Sequence, residues 1–337
     1  MIATENRYFK LAARPSGIPT RANWEYGSAP VGTPGPGHVL VKNLLLSLDP
    51  AMRGWMNEGK SYIPPVGIGE VMRAGGVGRV LRSEDPSFAT GDYVAGMLGI
   101  QEYQSAPAKA FTKIDPAMGP LEVHLSVLGM PGMTAYFGLL EEGKPKAGET
   151  VLVSGAAGAV GMVVGQLAKI EGCRVVGIAG GAEKCAYLTD ELGFDAAIDY
   201  KSQDLNKALR EHCPKGVDVY FDNVGGDALE AALARLAMHG RIIVCGAISQ
   251  YNNTTPVKGP SNYLSLLVNR GTMKGIVVFD YAPRFDDAIA RMAGYLKDGR
   301  MKHREDVVAG LDTFPETLLM LFTGENFGKL VLKVADD

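Results

Sequence analysis

The chain has 337 residues, 46% of them apolar, and sets 34 Lys and Arg against 37 Asp and Glu for a formal charge of -3. At about 150 residues per domain, this length predicts two domains, each able to bury its own core, and argues against disorder. A near-neutral balance without a long like-charge block argues against nucleic acid or a membrane surface as partner.

The cysteines, Cys173, Cys185, Cys213 and Cys245, form no CxxC and have no His at ligand spacing. Neither a zinc lobe nor a disulfide framework is therefore expected, and no metal ligand is assigned. The start, MIATENRYFK, places charges at Glu5, Arg7 and Lys10 where a secretory signal needs an apolar core, so a cytoplasmic location is the expectation.

From 39 to about 113, short apolar runs (VLVKNLLLSL, GVGRVLR, DYVAGML) are broken by Gly and Pro, the pattern of an antiparallel, barrel-like β region. Within it, residues 54–61 match the GxxxxGK[ST] phosphate loop letter for letter. That loop must run into a helix, whereas Pro64, Pro65, Gly67 and Gly69 follow at once, so ATP chemistry is rejected. Met52, Met56 and Met72 are expected mainly to fill the core there.

From about 128 the texture changes to strands alternating with helical periodicity, as a parallel, doubly wound sheet requires. The expected strands are 150–154, 174–179, 196–199, 217–221, 241–245 and 272–279, which make a full Rossmann domain. Residues 150–168 carry no charge and are long enough to cross a bilayer, but Gly155, Gly158, Gly161 and Gly165 make them read as strand, turn and helix. That helix puts Val160, Val163, Val164 and Leu167 on one face. After a helix over 285–297, the segment GENFGKLVLKV reads as a strand returning to the first domain. The expected division is thus a discontinuous substrate domain, 1–127 with 300–337, and a cofactor domain, 128–299.

The sequence VLVSGAAGAVG places Ala156-x-Gly158-x-x-Gly161 between strand and helix, a dinucleotide fingerprint with alanine at its first position. Ala156, Ala157, Gly158, Ala159, Val160 and Gly161 are the expected cofactor turn, where backbone N–H groups and the helix dipole face a pyrophosphate. The second strand ends in Ile178-Ala179-Gly180-Gly181, without the carboxylate that an NAD site presents to the ribose, and Lys184 follows in the next helix. NADPH/NADP+ therefore fits better than NADH. Tyr200, at the end of the third strand, either closes the same pocket with its hydroxyl or packs.

Together the segments LLLSLDPAMRGWM, VLGMPGMTAYFGL, VSGAAGAVG, GGAEKCAYL, DVYFDNVGG, GAISQYN and GENFGKLVLKV resemble the zinc-free medium-chain dehydrogenases/reductases over nearly the whole chain. The branch is that of the NADPH-dependent alkenal, prostaglandin and curcumin reductases, and the curcumin reductases in particular. The resemblance implies an α/β architecture, with a Rossmann doubly wound parallel sheet beside a GroES-like, mainly antiparallel β barrel domain. It also implies metal-free hydride transfer from NADPH to the β-carbon of an enone, and a homodimer joined through the Rossmann domains.

Such chemistry needs a group that stabilises the oxygen of the forming enolate, and a tyrosine hydroxyl serves. Tyr251, in the ISQYN loop at the carboxyl end of the sheet, matches the family's active-site tyrosine and ranks first. Tyr62 and Tyr263 match loop positions on the substrate side. Asn223, Cys245, Ala247, Ser249, Phe279 and Asn326 correspond to positions around the nicotinamide and its ribose, and Met133 and Thr134 to positions near the pyrophosphate. Asn326, close to a Gly, reads equally as a turn residue. The implied substrates are α,β-unsaturated ketones and aldehydes: curcumin-like enones, alkenals or keto-prostanoid-like lipids. The competing readings are a zinc-free NADPH:quinone reductase, a non-catalytic NADPH-binding protein and, against the cysteine spacing, a zinc alcohol dehydrogenase.

Overall fold

The computed structural model describes residues 4–337 and divides them into two units, 4–125 with Glu305–Asp337, and Ser126–Arg304. The first unit contains β1 (Glu5–Leu11), β2 (Trp24–Pro30), β3 (His38–Ser47), β4 (Gly75–Ser83), β5 (Tyr93–Met97), β6 (Tyr103–Pro107) and β7 (Phe111–Lys113). β1 and β2 form an antiparallel ribbon, while β3 pairs antiparallel with both β4 and β6. Met52, Met56 and Met72 are fully buried in one core with Phe9, Trp24 and Phe314. At about 1.5–3 kcal/mol per large apolar side chain, that core is the main stabilising term of the unit. The helix Ala51–Trp55 ends before Lys60 and Ser61, which are exposed and non-helical, so no phosphate loop forms.

The second unit carries β8 (Thr150–Ser154), β9 (Arg174–Ala179), β10 (Ala196–Asp199), β11 (Val217–Asp222), β12 (Leu236–Val244) and β13 (Thr272–Gly275). They make one all-parallel sheet in the order β10-β9-β8-β11-β12-β13, reversing direction between β8 and β11. β8 is buried along its whole length, as a central strand covered on both faces must be. Leu152, Val176, Ile198, Tyr220 and Ile242 line one face and pack on Leu209 and Leu233 of the helices Leu205–His212 and Gly226–Ala234. The helix Ala159–Ile170 buries Val163, Val164 and Leu167, with Val160 only partly covered.

Two strands differ from expectation. β12 starts at Leu236 rather than 241: Leu236 pairs with Val217, the register shifts, and His239 takes a left-handed φ of 62° before the ladder resumes at Arg241. β13 stops at Gly275, because it is an edge strand with all four residues exposed; the apolar residues beyond it run into a 3-10 turn, Val278–Arg284, that contains Pro283.

The last strands, β14 (Glu305–Ala309) and β15 (Lys329–Lys333), belong to the first unit, where β15 pairs antiparallel with β3. The buried Lys329 Nζ donates to the Leu48 carbonyl at 2.6 Å and to Asp49 Oδ1 at 2.9 Å, tying β15 to the end of β3. Among the described residues, no helix is long and apolar enough to cross a membrane.

Candidate cofactor and active site

The sheet reversal between β8 and β11 opens a crevice at the carboxyl ends of the strands, the position where ligands bind in open α/β folds. The turn 155–158 leaves β8 there. A Cβ at Gly161 would sit 2.3 Å from the Gly155 carbonyl oxygen, so only glycine lets the helix start this close to the turn. At Gly158, by contrast, a Cβ would meet only the Gly155 oxygen at 3.2 Å, which leaves the face toward the crevice clear. Gly158 caps the helix, and no acidic residue lies in the first turn, so its unpaired N–H groups and positive dipole end are available to an anion.

Where β9 ends, Gly180 lies beneath two side chains: a Cβ there would come within 2.9 Å of the Tyr200 ring and 3.0 Å of Lys201 Cε. Tyr200 is 51% exposed above it. Gly181 adopts φ +99° and caps the short helix Ala182–Ala186 that carries Lys184. Asp199, which the sequence reading did not single out, holds this turn: its Oδ1 accepts from the N–H groups of Gly181 (2.8 Å) and Lys201 (3.0 Å), and its Oδ2 from Ser202 (2.8 Å). The Gly181 amide first, then Ser202 and Lys201, keep the Asp199 carboxyl below its ordinary range. The Asp199 carboxylate is thus directed into the turn, and Glu183 and Lys184 of the helix, with Lys201, stand beside it. A glycine cradle facing a helix N-terminus, with two lysines at the next strand end and the Asp199 carboxylate bound to the turn's amides, fits an NADPH.

On the other side of the crevice, Asn223 Nδ2 donates to the Ser154 carbonyl at 2.7 Å, and the Ser249 hydroxyl donates to the Val224 carbonyl at 2.6 Å. The N–H groups of Cys245 and Gly246 donate to the Asp222 carbonyl at 2.9 and 3.1 Å, which joins the ends of β11 and β12. The Tyr251 phenol folds back over this junction: its oxygen accepts from the Ala247 N–H at 3.2 Å and would be 2.8 Å from a Cβ at Gly246. Glycine at 246 is what gives the tyrosine its seat. Burial, with the nearby Asp222 carboxylate, pushes the Cys245 thiol up to about 12, which makes it a packing group rather than a nucleophile.

The remaining candidates stand on other segments of the chain. Met133 is buried and Thr134 partly exposed on the helix Met130–Tyr136, where the Thr134 hydroxyl donates to the Met130 carbonyl. Phe279, 38% exposed, stands on the turn after β13. Tyr263 is 59% exposed in a segment tethered to Glu230 through Ser261 and Asn262, among exposed Leu264, Leu267 and Val268. Tyr62 and Asn326 belong to the first unit: Tyr62 is 55% exposed, and Asn326 Nδ2 donates to the Gly328 carbonyl at 3.1 Å within its own loop. The chain pattern alone gave no signal for Asp222. For Asp199, the run Asp-Tyr-Lys-Ser at a strand end is an Asx-turn signature that points to it.

A family model described as the N-terminal domain of oxidoreductase matches residues 7–114, and one described as zinc-binding dehydrogenase matches 159–294. Among the described residues, however, no group of three or more His, Cys, Asp or Glu is placed to hold a metal ion. The NADPH-dependent curcumin reductase of Escherichia coli is 43% identical over 98% of each chain. The NADP(+)-dependent 2-alkenal reductase of Nicotiana tabacum is 46% identical, over 89% of this chain and 88% of its own. The crystal structure of CurA in complex with NADPH from Vibrio vulnificus superposes with a TM-score of 0.93 at 42% identity, covering 98% of this chain and 100% of that one.

Proposed function

Because the chain belongs to the zinc-independent medium-chain dehydrogenases/reductases and is closely related to their NADPH-dependent curcumin and enone reductases, we propose that it reduces the C=C bond of α,β-unsaturated ketones and aldehydes. NADPH, when bound, supplies a hydride for the β-carbon. The unit Ser126–Arg304 holds it in this reading. In this reading the backbone at Ala156–Gly161, with Met133 and Thr134 beside it, receives the pyrophosphate; Lys184, Tyr200 and Gly180 receive the 2′-phosphorylated ribose. Asn223, Cys245, Ala247, Ser249, Phe279 and Asn326 surround the nicotinamide end.

Tyr251 donates its hydroxyl proton in a hydrogen bond to the substrate carbonyl, so that charge building on that oxygen is met by a fixed dipole. Tyr62 and Tyr263 rank behind it for the same contact. The observation that carries this reading is the seat of Tyr251 at the joined ends of β11 and β12, where the Ala247 N–H donates to its oxygen. The test is NADPH oxidation, followed by absorbance, against a panel of enones, alkenals, quinones and saturated aldehydes. Enones and alkenals are expected to give the highest kcat/KM; turnover confined to quinones sinks the proposal.

We also assign a second copy of the chain as partner, joined through the cofactor unit. β13 is an edge strand with every residue exposed, and Leu267 and Val268 nearby are 73% and 64% exposed. An open strand edge flanked by apolar side chains calls for a cover. The free Cys173, Cys185, Cys213 and Cys245 suit a reducing compartment, and we place the protein in the cytoplasm.

A further inference from the structure

Asp222 ends β11 at the sheet reversal and is 1% exposed. Its Oδ1 accepts from the Tyr220 hydroxyl at 2.7 Å, the Ser154 hydroxyl at 3.1 Å, and the N–H groups of Val224 at 3.0 Å and Gly225 at 2.8 Å. Every partner is a donor, which is the environment of an ionised carboxylate. Its Oδ2 is buried without any hydrogen-bond partner. Four donors are more than shaping a turn requires, yet no basic side chain is among them.

Where that charge lies follows from the topology. The fingerprint turn follows β8, and the 2′-phosphate corner lies beyond β9, on one side of the reversal. A dinucleotide crossing the crevice puts its nicotinamide half on the other side, over β11 and β12. Asp222 ends β11 on that side, with its carbonyl holding the Cys245 and Gly246 amides.

We propose that Asp222 is an electrostatic positioning residue, whose unneutralised buried charge favours the oxidised, cationic nicotinamide ring over the reduced, neutral one and so strengthens hydride donation. The inference rests on the cofactor reading above. At an effective dielectric of ~20, unit charges ~10 Å apart shift an equilibrium roughly tenfold, and for a two-electron couple tenfold is about 30 mV.

The experiment measures the dissociation constants of NADP+, NADPH and 2′,5′-ADP for the full chain and for Asp222→Asn. The ratio of NADP+ to NADPH dissociation constants is expected to rise about three- to tenfold in the variant, with 2′,5′-ADP binding unchanged. A ratio within twofold of the parent overturns the proposal, as does an equal loss for all three ligands, which marks a purely structural role. Should Asp222→Asn not fold, Tyr220→Phe removes one donor and leaves the charge less shielded; its ratio must fall, and an unchanged or raised ratio overturns the proposal. If the parent chain binds neither NADPH nor NADP+, it is the cofactor reading that has failed, a result distinct from both.

Discussion

Lys184 and Tyr251 are the two side chains on which single substitutions report directly. A charge-assisted hydrogen bond is worth roughly 1.5–3 kcal/mol, so Lys184→Ala is expected to weaken NADPH binding about tenfold or more while leaving NADH nearly unaffected; comparing the two dissociation constants by titration checks this. Equal losses would move the phosphate contact elsewhere, Lys201 being the neighbour that shares the Gly180 corner. Tyr251→Phe removes one donor to a developing oxyanion and is expected to lower kcat/KM for an enone by roughly 10² to 10³, with NADPH affinity retained, as steady-state kinetics beside a binding titration will read. An unchanged rate would pass the role to Tyr62. The places of Lys184 and Tyr200 after the second and third strands of the sheet were legible, because strand ends follow from local pattern. The seat of Tyr251 was not, because it depends on a glycine five positions earlier meeting a ring folded back on it.

At the scale of elements, β8 and the helix Ala159–Ile170 form around a turn in which Gly161 sets the closest approach, and this much the fingerprint spacing anticipated. The edges of the sheet were harder to read. β12 and β13 share their limits with neighbours rather than with their own residue pattern, since parallel pairing is decided by which strand lies alongside. The sheet's other end is held by charges. Burial pushes the Glu149 carboxyl up, but the bonds from Arg241 and the Lys146 amide outweigh it, so it stays below the usual carboxylate range; Asp195 is likewise held down by Lys169 and the Val175 amide against its own burial. Groups depressed in the folded state stabilise it above their unfolded pKa of ~4 and lose that contribution as pH falls through the lower folded values. Thermal midpoints should therefore be flat from about pH 7 to 5 and drop below ~4, and Glu149→Gln should lower the neutral midpoint and flatten the acid limb, as calorimetry across pH would register.

For the whole molecule, the open edge at β13 bears on assembly. Leu267→Glu, placing a charge on a side chain that is 73% exposed in the single chain, should leave the fold intact and shift the protein from dimer to monomer in sedimentation equilibrium. A parent chain that is monomeric at micromolar concentration removes the proposed partner. Composition and periodicity were enough to predict a two-part α/β chain with a parallel sheet and a nucleotide turn, because strand, turn and helix are short-range consequences of where apolar, glycine and β-branched residues fall. Tertiary structure alone decided what surrounds that turn. Ser154 and Asp222 are 68 positions apart and meet only because β8 and β11 pair across the reversal. The pairing of β10 with β9 sets the Asp199 carboxylate against the amides of the turn after β9, and that of β8 with β11 leaves Asp222 buried with an unpartnered oxygen. Electrostatics in a sheet end is set by distances between strands, and no window of consecutive residues contains them.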